Sequence, residues 1–189
     1  LGTTPSINTP KILVVNGFDR INGTNNSFDY IKQHGQAIKN SGYTFDATSN
    51  EAVINGTLNL NDYLIVDWIL GEEGSSSYSF DANEQTKVTS FLKNGGRLFV
   101  SGSEIGYDLV EKGNQYDKDF YYKILKANYL SDAPAGKQGV YDINGVPGTV
   151  FDNISFSFDN GNMGTYDVDW PDGIKPSLKA ESILHFNGV

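Results

Sequence analysis

The sequence predicts a three-layer α/β fold: a doubly wound, mostly parallel sheet followed by a β-hairpin appendage. Three observations carry this. Short aliphatic runs at Lys11–Val15, Tyr63–Trp68 and Leu98–Ser101 have the composition of strands in a parallel sheet. Between them lie segments with apolar residues at helical spacing, which argues for β-α-β units. After Tyr129 the alternation gives way to short strand-like segments separated by turn residues.

The elements follow in order. Lys11–Val15 (Lys-Ile-Leu-Val-Val) is the first strand and ends in the turn Asn16-Gly17-Phe18-Asp19-Arg20. Ser27 opens a helix whose apolar face is Phe28, Ile31 and Ile38, and Ser41-Gly42 closes it. Tyr43–Ala47 is a second strand and Asn50–Ile54 a single helical turn. Tyr63–Trp68 is a third strand, with Asp67 near its carboxyl end. Asp81 and Glu84 form an Asp-x-x-Glu capping box. Val88, Phe91 and Leu92 give that helix its buried stripe, and Gly95-Gly96 ends it.

Leu98-Phe99-Val100 reads as a strand buried on both faces. Small residues follow it, and then Glu104 and a helix carrying Ile105, Leu109 and Val110. Asp117–Ala127 is another helix, with Phe120, Tyr121, Ile124 and Leu125 inward. Gly139–Ile143 and Val146–Phe151 read as a hairpin turning on Asn144-Gly145. Ile154–Phe158 and Ile183–Phe186 are short strands, and Tyr166–Pro176 is a polar, aromatic loop. The four segments Lys11–Val15, Tyr43–Ala47, Leu64–Asp67 and Leu98–Ser101 are expected to pair in one parallel sheet.

Composition narrows the function. The chain has 189 residues and no cysteine, so disulfides, thiolate catalysis and zinc–sulfur sites are excluded. A formal charge of −9, with only 14 Lys and Arg, makes nucleic acid and anionic membranes poor partners. The longest apolar run, Leu64–Leu70, is short and interrupted by Asp67, so no membrane insertion is expected. Residues 1–10 are rich in Thr, Ser and Pro and read as a linker. Residues 11–189 read as a single domain, expected to be a piece of a longer parent chain that supplies other domains.

Candidate chemistry collects at the carboxyl ends of the strands, where open α/β sheets bind ligands. The first strand supplies Asn16, Asp19 and Arg20, the third Asp67 and the Glu72-Glu73 loop, and the fourth Ser101, Ser103, Glu104 and Tyr107. Gly102-Ser103-Glu104-Ile105-Gly106 has the Gly-x-nucleophile-x-Gly spacing of a sharp strand-to-helix turn, with a carboxylate in the central place. Glu104, Asp19 and Asp67 are therefore the candidate catalytic residues, and Asn16, Arg20, Glu72, Ser101, Ser103 and Tyr107 candidate ligand contacts.

The alternative for these acids is a set of solvated loop carboxylates, or, for Glu104, a negative charge favouring a helix start. Asp167-x-Asp169-x-x-Asp172-Gly173 differs by one residue from a calcium-loop spacing and lacks the downstream Glu. His34 and His185 have no spacing that makes a Ser-His-Asp set. No metal or organic cofactor is expected, because cysteine clusters, paired histidines and a glycine-rich dinucleotide fingerprint are all lacking.

Three stretches carry a resemblance: Ile12–Arg20, Asp67–Glu73 (Asp-Trp-Ile-Leu-Gly-Glu-Glu) and Leu98–Asp108. From Lys11 onward the chain resembles the glutamine-amidotransferase-like, flavodoxin-related domains of large exported bacterial proteins. Some of those proteins carry labels such as xanthan lyase or N-acetylmuramoyl-alanine amidase. The resemblance implies an extracellular or periplasmic setting. Class I amidotransferases place a cysteine at the elbow, where this chain has Glu104, so thiol-based acyl transfer is excluded. Related domains continue through another glycine-rich strand where this chain stops, so a truncated domain is expected.

The expected function is a non-catalytic domain binding glycan or another small polar ligand at an acidic strand-end cleft. Trp68, Tyr107 and Trp170 are candidate stacking residues, although core packing is the favoured role for Trp68. The competing expectation is a hydrolase acting on glycan or cell-wall material, with Glu104 and a second carboxylate as its acid/base pair.

Overall fold

The computed structural model describes residues 10–21, 26–73, 77–136, 142–158, 160–162 and 167–187. Apart from Pro10, the expected linker lies outside these residues, as do Gly139–Tyr141 of the expected hairpin. The chain forms two compact units. Among the described residues, the first holds the segments up to Gly102 and the second runs from Ser103 on.

The first unit is α/β and built on four parallel strands. β1 (Ile12–Asn16), β2 (Phe45–Ser49), β3 (Ile65–Gly71) and β4 (Arg97–Gly102) lie in the order β2-β1-β3-β4. The in-register pairs Val14↔Ala47, Val14↔Asp67 and Asp67↔Phe99 run across the sheet. This is the parallel arrangement expected of the four segments. β1 and β3 are central, so Leu13, Val14, Val15, Val66 and Leu70 are fully buried. β4 is an edge strand of this sheet, and Phe99 is 59 % exposed. The expectation that Leu98–Val100 is buried on both faces is therefore wrong. An aliphatic run does not by itself distinguish an edge strand from a central one.

Successive residues of a strand face opposite sides of its sheet. In β3, Asp67 meets His34 of α1 (Tyr30–Asn40), whereas Trp68 packs on Phe80, just before α3 (Ala82–Lys93). The two helical segments thus cover opposite faces. α1 starts at Tyr30 rather than Ser27, and Phe28, expected on its apolar face, is exposed; Tyr30 and Gly35 are its buried residues. Gly35 is buried because the Phe45 ring lies where a β-carbon would stand. The capping box of α3 is present in full: Asp81 accepts from the Glu84 amide and Glu84 from the Asp81 amide. α2 (Asn50–Ile54) is a single short helix, as expected.

The second unit departs further from expectation. After a turn at Ser103-Glu104 the chain becomes helical, with π geometry over Tyr107–Lys112. α4 (Gln115–Asp119) opens with an Asn114/Asp117 capping box and passes into a second π segment, Phe120–Ile124, whose Phe120 and Tyr121 are buried. The helix stops before Ala127. Lys126 takes a positive φ of 63°, and β5 (Ala127–Asp132) begins. β5 pairs antiparallel with β8 (Asp172–Pro176), a strand inside the segment expected to be a loop.

β6 (Asp142–Gly145) pairs with β7 (Ser155–Ser157) and β9 (Leu184–Phe186). The hairpin expected on Asn144-Gly145 is overturned, because both residues lie within β6. Gly145 is required there for close approach: a β-carbon would collide with the Phe151 carbonyl. Ile143, Phe156 and Phe186 occupy paired positions and Phe158 packs on both phenylalanines; Ile143 is buried, while the three rings stay partly exposed.

The close approaches at Gly17 and Gly35 differ in what can yield. A β-carbon on Gly17 would fall 2.0 Å from Trp68 Nε1, and that indole is fully buried. Gly17→Ala is expected to cost about 1–3 kcal/mol, the range for overpacking. At Gly35 the obstacle is a half-buried ring on an edge strand, and the helix gains about 0.8–1.0 kcal/mol from replacing glycine. Gly35→Ala should therefore be close to neutral. Urea unfolding of both variants checks the contrast, and equal losses would contradict it.

Candidate functional site

The carboxyl ends of β1 and β2 meet the first turn of α3 through one side chain. Asn50, the first residue of α2, donates from Nδ2 to Asp19 Oδ1 at 2.7 Å and to Glu84 Oε1 at 3.0 Å. The same nitrogen lies 3.4 Å from the Gly17 carbonyl oxygen. Asn50 and Glu84 are each 2 % exposed, while Asp19 is open to solvent. Asp19 is thus a surface carboxylate held in one orientation by a buried amide, which is itself fixed by a buried acid. Burial pushes the Glu84 carboxyl from 4.5 up to about 8, helped by the charges of Asp81 and Asp19 and opposed by the hydrogen bonds from Asp81 and Asn50.

The end of β3 supplies a second set. The Arg20 amide donates to Glu73 Oε1 at 2.8 Å, and Arg20 Nη2 donates to the Glu72 carbonyl at 2.5 Å. Asn26 completes the clasp, accepting from the Glu72 amide and donating to the Arg20 carbonyl. Gly71, at φ 57°, makes room for it: a β-carbon would fall 2.1 Å from Asn26 Oδ1. Burial raises the Glu73 carboxyl above the usual range against the opposing pull of Arg20, and the Asp19 charge raises it further. Two buried acceptors at these strand ends, Asn16 Oδ1 and Asn50 Oδ1, have no hydrogen-bond partner among the described residues.

Asn16, Asp19, Arg20 and Glu72 therefore lie at the strand ends of one unit, as the sequence reading expects. Asp67 does not. It is the third residue of the seven-residue β3, and its Oδ2 accepts from His34 Nδ1 at 2.7 Å under α1. Its placement near the carboxyl end is corrected, because β3 runs three residues past Trp68, to Gly71. Trp68 is core, as favoured. Asn50 and Glu84 are not singled out as site residues by the sequence, and Glu73 only together with Glu72 in the loop at the end of the third strand. Glu84 did show a signal, its capping box, which accounts for a helix start and hides its second hydrogen bond.

In the second unit Glu104 stands in the bend after β4, half-buried, and its carbonyl accepts from the Asp108 amide. Ser101 is half-buried in β4 of the first unit, and Ser103 is buried with no partner for its hydroxyl among the described residues. The free amides of the following helix are occupied by a residue the spacing did not suggest. Asp172 of β8 accepts from the Gly106 amide at 2.5 Å and from the Tyr107 amide at 3.1 Å, while its own amide donates to the Ser103 carbonyl. Burial raises this carboxyl to about 7, and the nearby charges of Asp132 and Asp108 act the same way. Gly106 admits the arrangement because a β-carbon would lie 2.8 Å from Tyr121 Oη.

Among the described residues, no three His, Asp or Glu side chains are grouped to hold a metal ion, and no helix is long and apolar enough to cross a membrane. A cavity of about 330 Å³ lined by Tyr63, Phe91 and Asn94, among others, lies at the amino ends of β3 and β4, opposite the strand-end cluster. No family model, curated protein or solved structure matches the chain.

Glu84 ties the cluster to pH. Its folded carboxyl holds a proton more tightly than the unfolded one, so its stabilising contribution is full below about pH 4.5 and is lost as the pH rises through about 8. Asp172 acts in the same direction between 3.8 and about 7. Glu84→Gln removes the first titration and keeps an acceptor for the Asp81 amide. The stability difference between wild type and variant should change by about 1.4 kcal/mol per pH unit from roughly pH 5 to 7.5, with wild type losing ground as the pH rises. Denaturant unfolding across this range measures it, and a difference independent of pH would contradict a protonated Glu84.

Proposed function

We propose that the chain is a binding domain of the amidotransferase-like, flavodoxin-related type from an exported protein, and that it takes a hydroxyl-rich polar ligand such as a glycan at the carboxyl end of β1. One observation carries this: Asp19 is an exposed carboxylate immobilised by the buried Asn50 amide. A preorganised acceptor avoids part of the ordering cost of binding. Its position supports the reading. β2 lies on one side of β1 and β3 on the other, and ligands of open α/β sheets bind where the strand order reverses. Arg20, half-buried beside it, adds a donor to the same edge.

Binding is favoured over hydrolysis by the burial of Glu84. A general acid must reach the leaving group within hydrogen-bond distance. The carboxyl that keeps its proton near neutrality is 2 % exposed, behind Asn50. Its role in this reading is to hold Asn50, and through it Asp19.

Asp19→Asn keeps an acceptor for Asn50 and removes the charge offered to ligand hydroxyls. A hydrogen bond to a charged group contributes about 1.5–3 kcal/mol, so the variant should bind at least about tenfold more weakly with nearly unchanged thermal stability. Calorimetric titration with a panel of neutral and amino-sugar oligosaccharides tests this. Equal binding by wild type and variant, or no binding by either, would reject the site.

A further inference from the structure

We propose that His34 and Asp67 form a reactive dyad on the α1 face of the first unit, and that it hydrolyses esters carrying an aromatic group. This activity is independent of the Asp19 reading. Asp67 Oδ2 lies 2.7 Å from His34 Nδ1, and both residues belong to the first unit. As a carboxylate Asp67 can only accept, so Nδ1 carries the proton of the neutral ring and Nε2 keeps its lone pair. Among the described residues Nε2 has no hydrogen-bond partner, and 26 % of the side chain is open to solvent.

Packing gives Asp67 little reason to be an acid. It stands in β3 between the fully buried Val66 and Trp68, is itself 8 % exposed, and has the buried Val14 as its in-register neighbour on β1. Its Oδ1 is buried with no partner among the described residues. A buried carboxylate so poorly satisfied is costly, and an aliphatic side chain would fill the place better. Its hydrogen bond goes to the imidazole, so what this carboxylate supplies is supplied at His34. It fixes the tautomer, and it faces the ring with negative charge when positive charge develops there.

Phe99 of β4 is in register with Asp67, so the two side chains leave the sheet on the same face. α1 packs on β1 and β2, and Phe99 stands 59 % exposed at the edge of the sheet. An exposed ring one strand from the dyad suits a substrate with an aromatic group, which stacks on Phe99 while its ester carbonyl meets Nε2.

The chemistry is nucleophilic. The Nε2 lone pair attacks the carbonyl carbon, and the bond to the ester oxygen breaks with its electron pair leaving on the phenolate or alkoxide. The ring becomes an acylated imidazolium, held through Nδ1–H by Asp67. Water then attacks the acyl carbon, and the C–N bond breaks with its electrons returning to Nε2. One proton of that water ends on the leaving group, so the sum is ester plus water to acid plus alcohol.

The probe is p-nitrophenyl acetate, and the other imidazole of the chain is the control, since His185 is exposed in β9 of the second unit. Wild type should hydrolyse the ester at least about tenfold faster than free 4-methylimidazole at equal concentration. His34→Gln should lose that excess and His185→Gln should keep it. Asp67→Asn should lower kcat about tenfold or more. Phe99→Ala should raise KM roughly two- to tenfold with kcat little changed. Near-UV circular dichroism checks that each variant is folded. In wild type, with no substitution, ¹⁵N NMR should find neutral His34 as the Nδ1–H tautomer.

A wild-type rate no higher than that of 4-methylimidazole would overturn the proposal, as would equal losses in the two histidine variants. An Nε2–H tautomer at His34, or a folded Asp67→Asn as active as wild type, would overturn the dyad. An unchanged KM in Phe99→Ala would overturn the aromatic substrate class.

Discussion

The carboxyl edge of the first unit depends on the contact between Trp68 and Gly17. Trp68 is fully buried in β3, stacked at 5.4 Å on Phe80, and its indole fills the space that a side chain at position 17 would need. With that space filled, the chain leaves β1 along one path. The Gly17 amide extends the ladder by donating to the Ile69 carbonyl at 2.8 Å, and its own carbonyl turns toward Asn50. Asp19 and Arg20 are then presented together. Asp19 goes to the side of α2 and α3, and Arg20 to the end of β3. The packing is apolar, but what it fixes is the polar geometry two and three residues downstream.

That geometry carries an electrostatic cost that the unit does not cancel internally. Two glutamates are placed where water is largely excluded, and their hydrogen bonds come mainly from backbone amides and one asparagine. Desolvation outweighs those bonds, and both carboxyls rise above their ordinary range. A cluster selected only for stability would be expected to replace a buried carboxyl by an uncharged group. Glu84 also closes the capping box of α3, a role that glutamine fills as well. Glutamine would not reproduce the whole set, however: one Glu84 oxygen accepts from the Asp81 amide and the other from Asn50, and a glutamine has a single acceptor oxygen, so the acid at this position answers to Asn50 as well as to the helix.

The sequence disclosed β1, β3 and β4 because each carries a short aliphatic run bounded by turn residues, whereas β2 (Phe-Asp-Ala-Thr-Ser) has no such run. It disclosed α3 because its start and stop signals are local. Long-range pairing was hidden. Asn50 lies 31 residues from Asp19 and 34 from Glu84, and Asp172 lies 66 from Gly106. No spacing rule connects such positions. Asn144-Gly145 misled for a different reason: glycine served close backbone contact inside a strand, and the same dipeptide is a hairpin signal when its torsions are positive. Asp67 misled because the length of β3 was read from its aliphatic run, and the strand continues through Ile69, Leu70 and Gly71.

The helix start after Ser103 shows how such a start is satisfied from within the chain. The unpaired amides at a helix start attract a negative group. In this chain the negative group is built in: the Asp172 carboxylate takes both the Gly106 and Tyr107 amides, and the backbone bond from its amide to the Ser103 carbonyl anchors it there. An external anion would have to displace a carboxylate that is covalently part of the unit and already in place. The Gly106 and Tyr107 amides are therefore spent on joining β8 to the start of this helix.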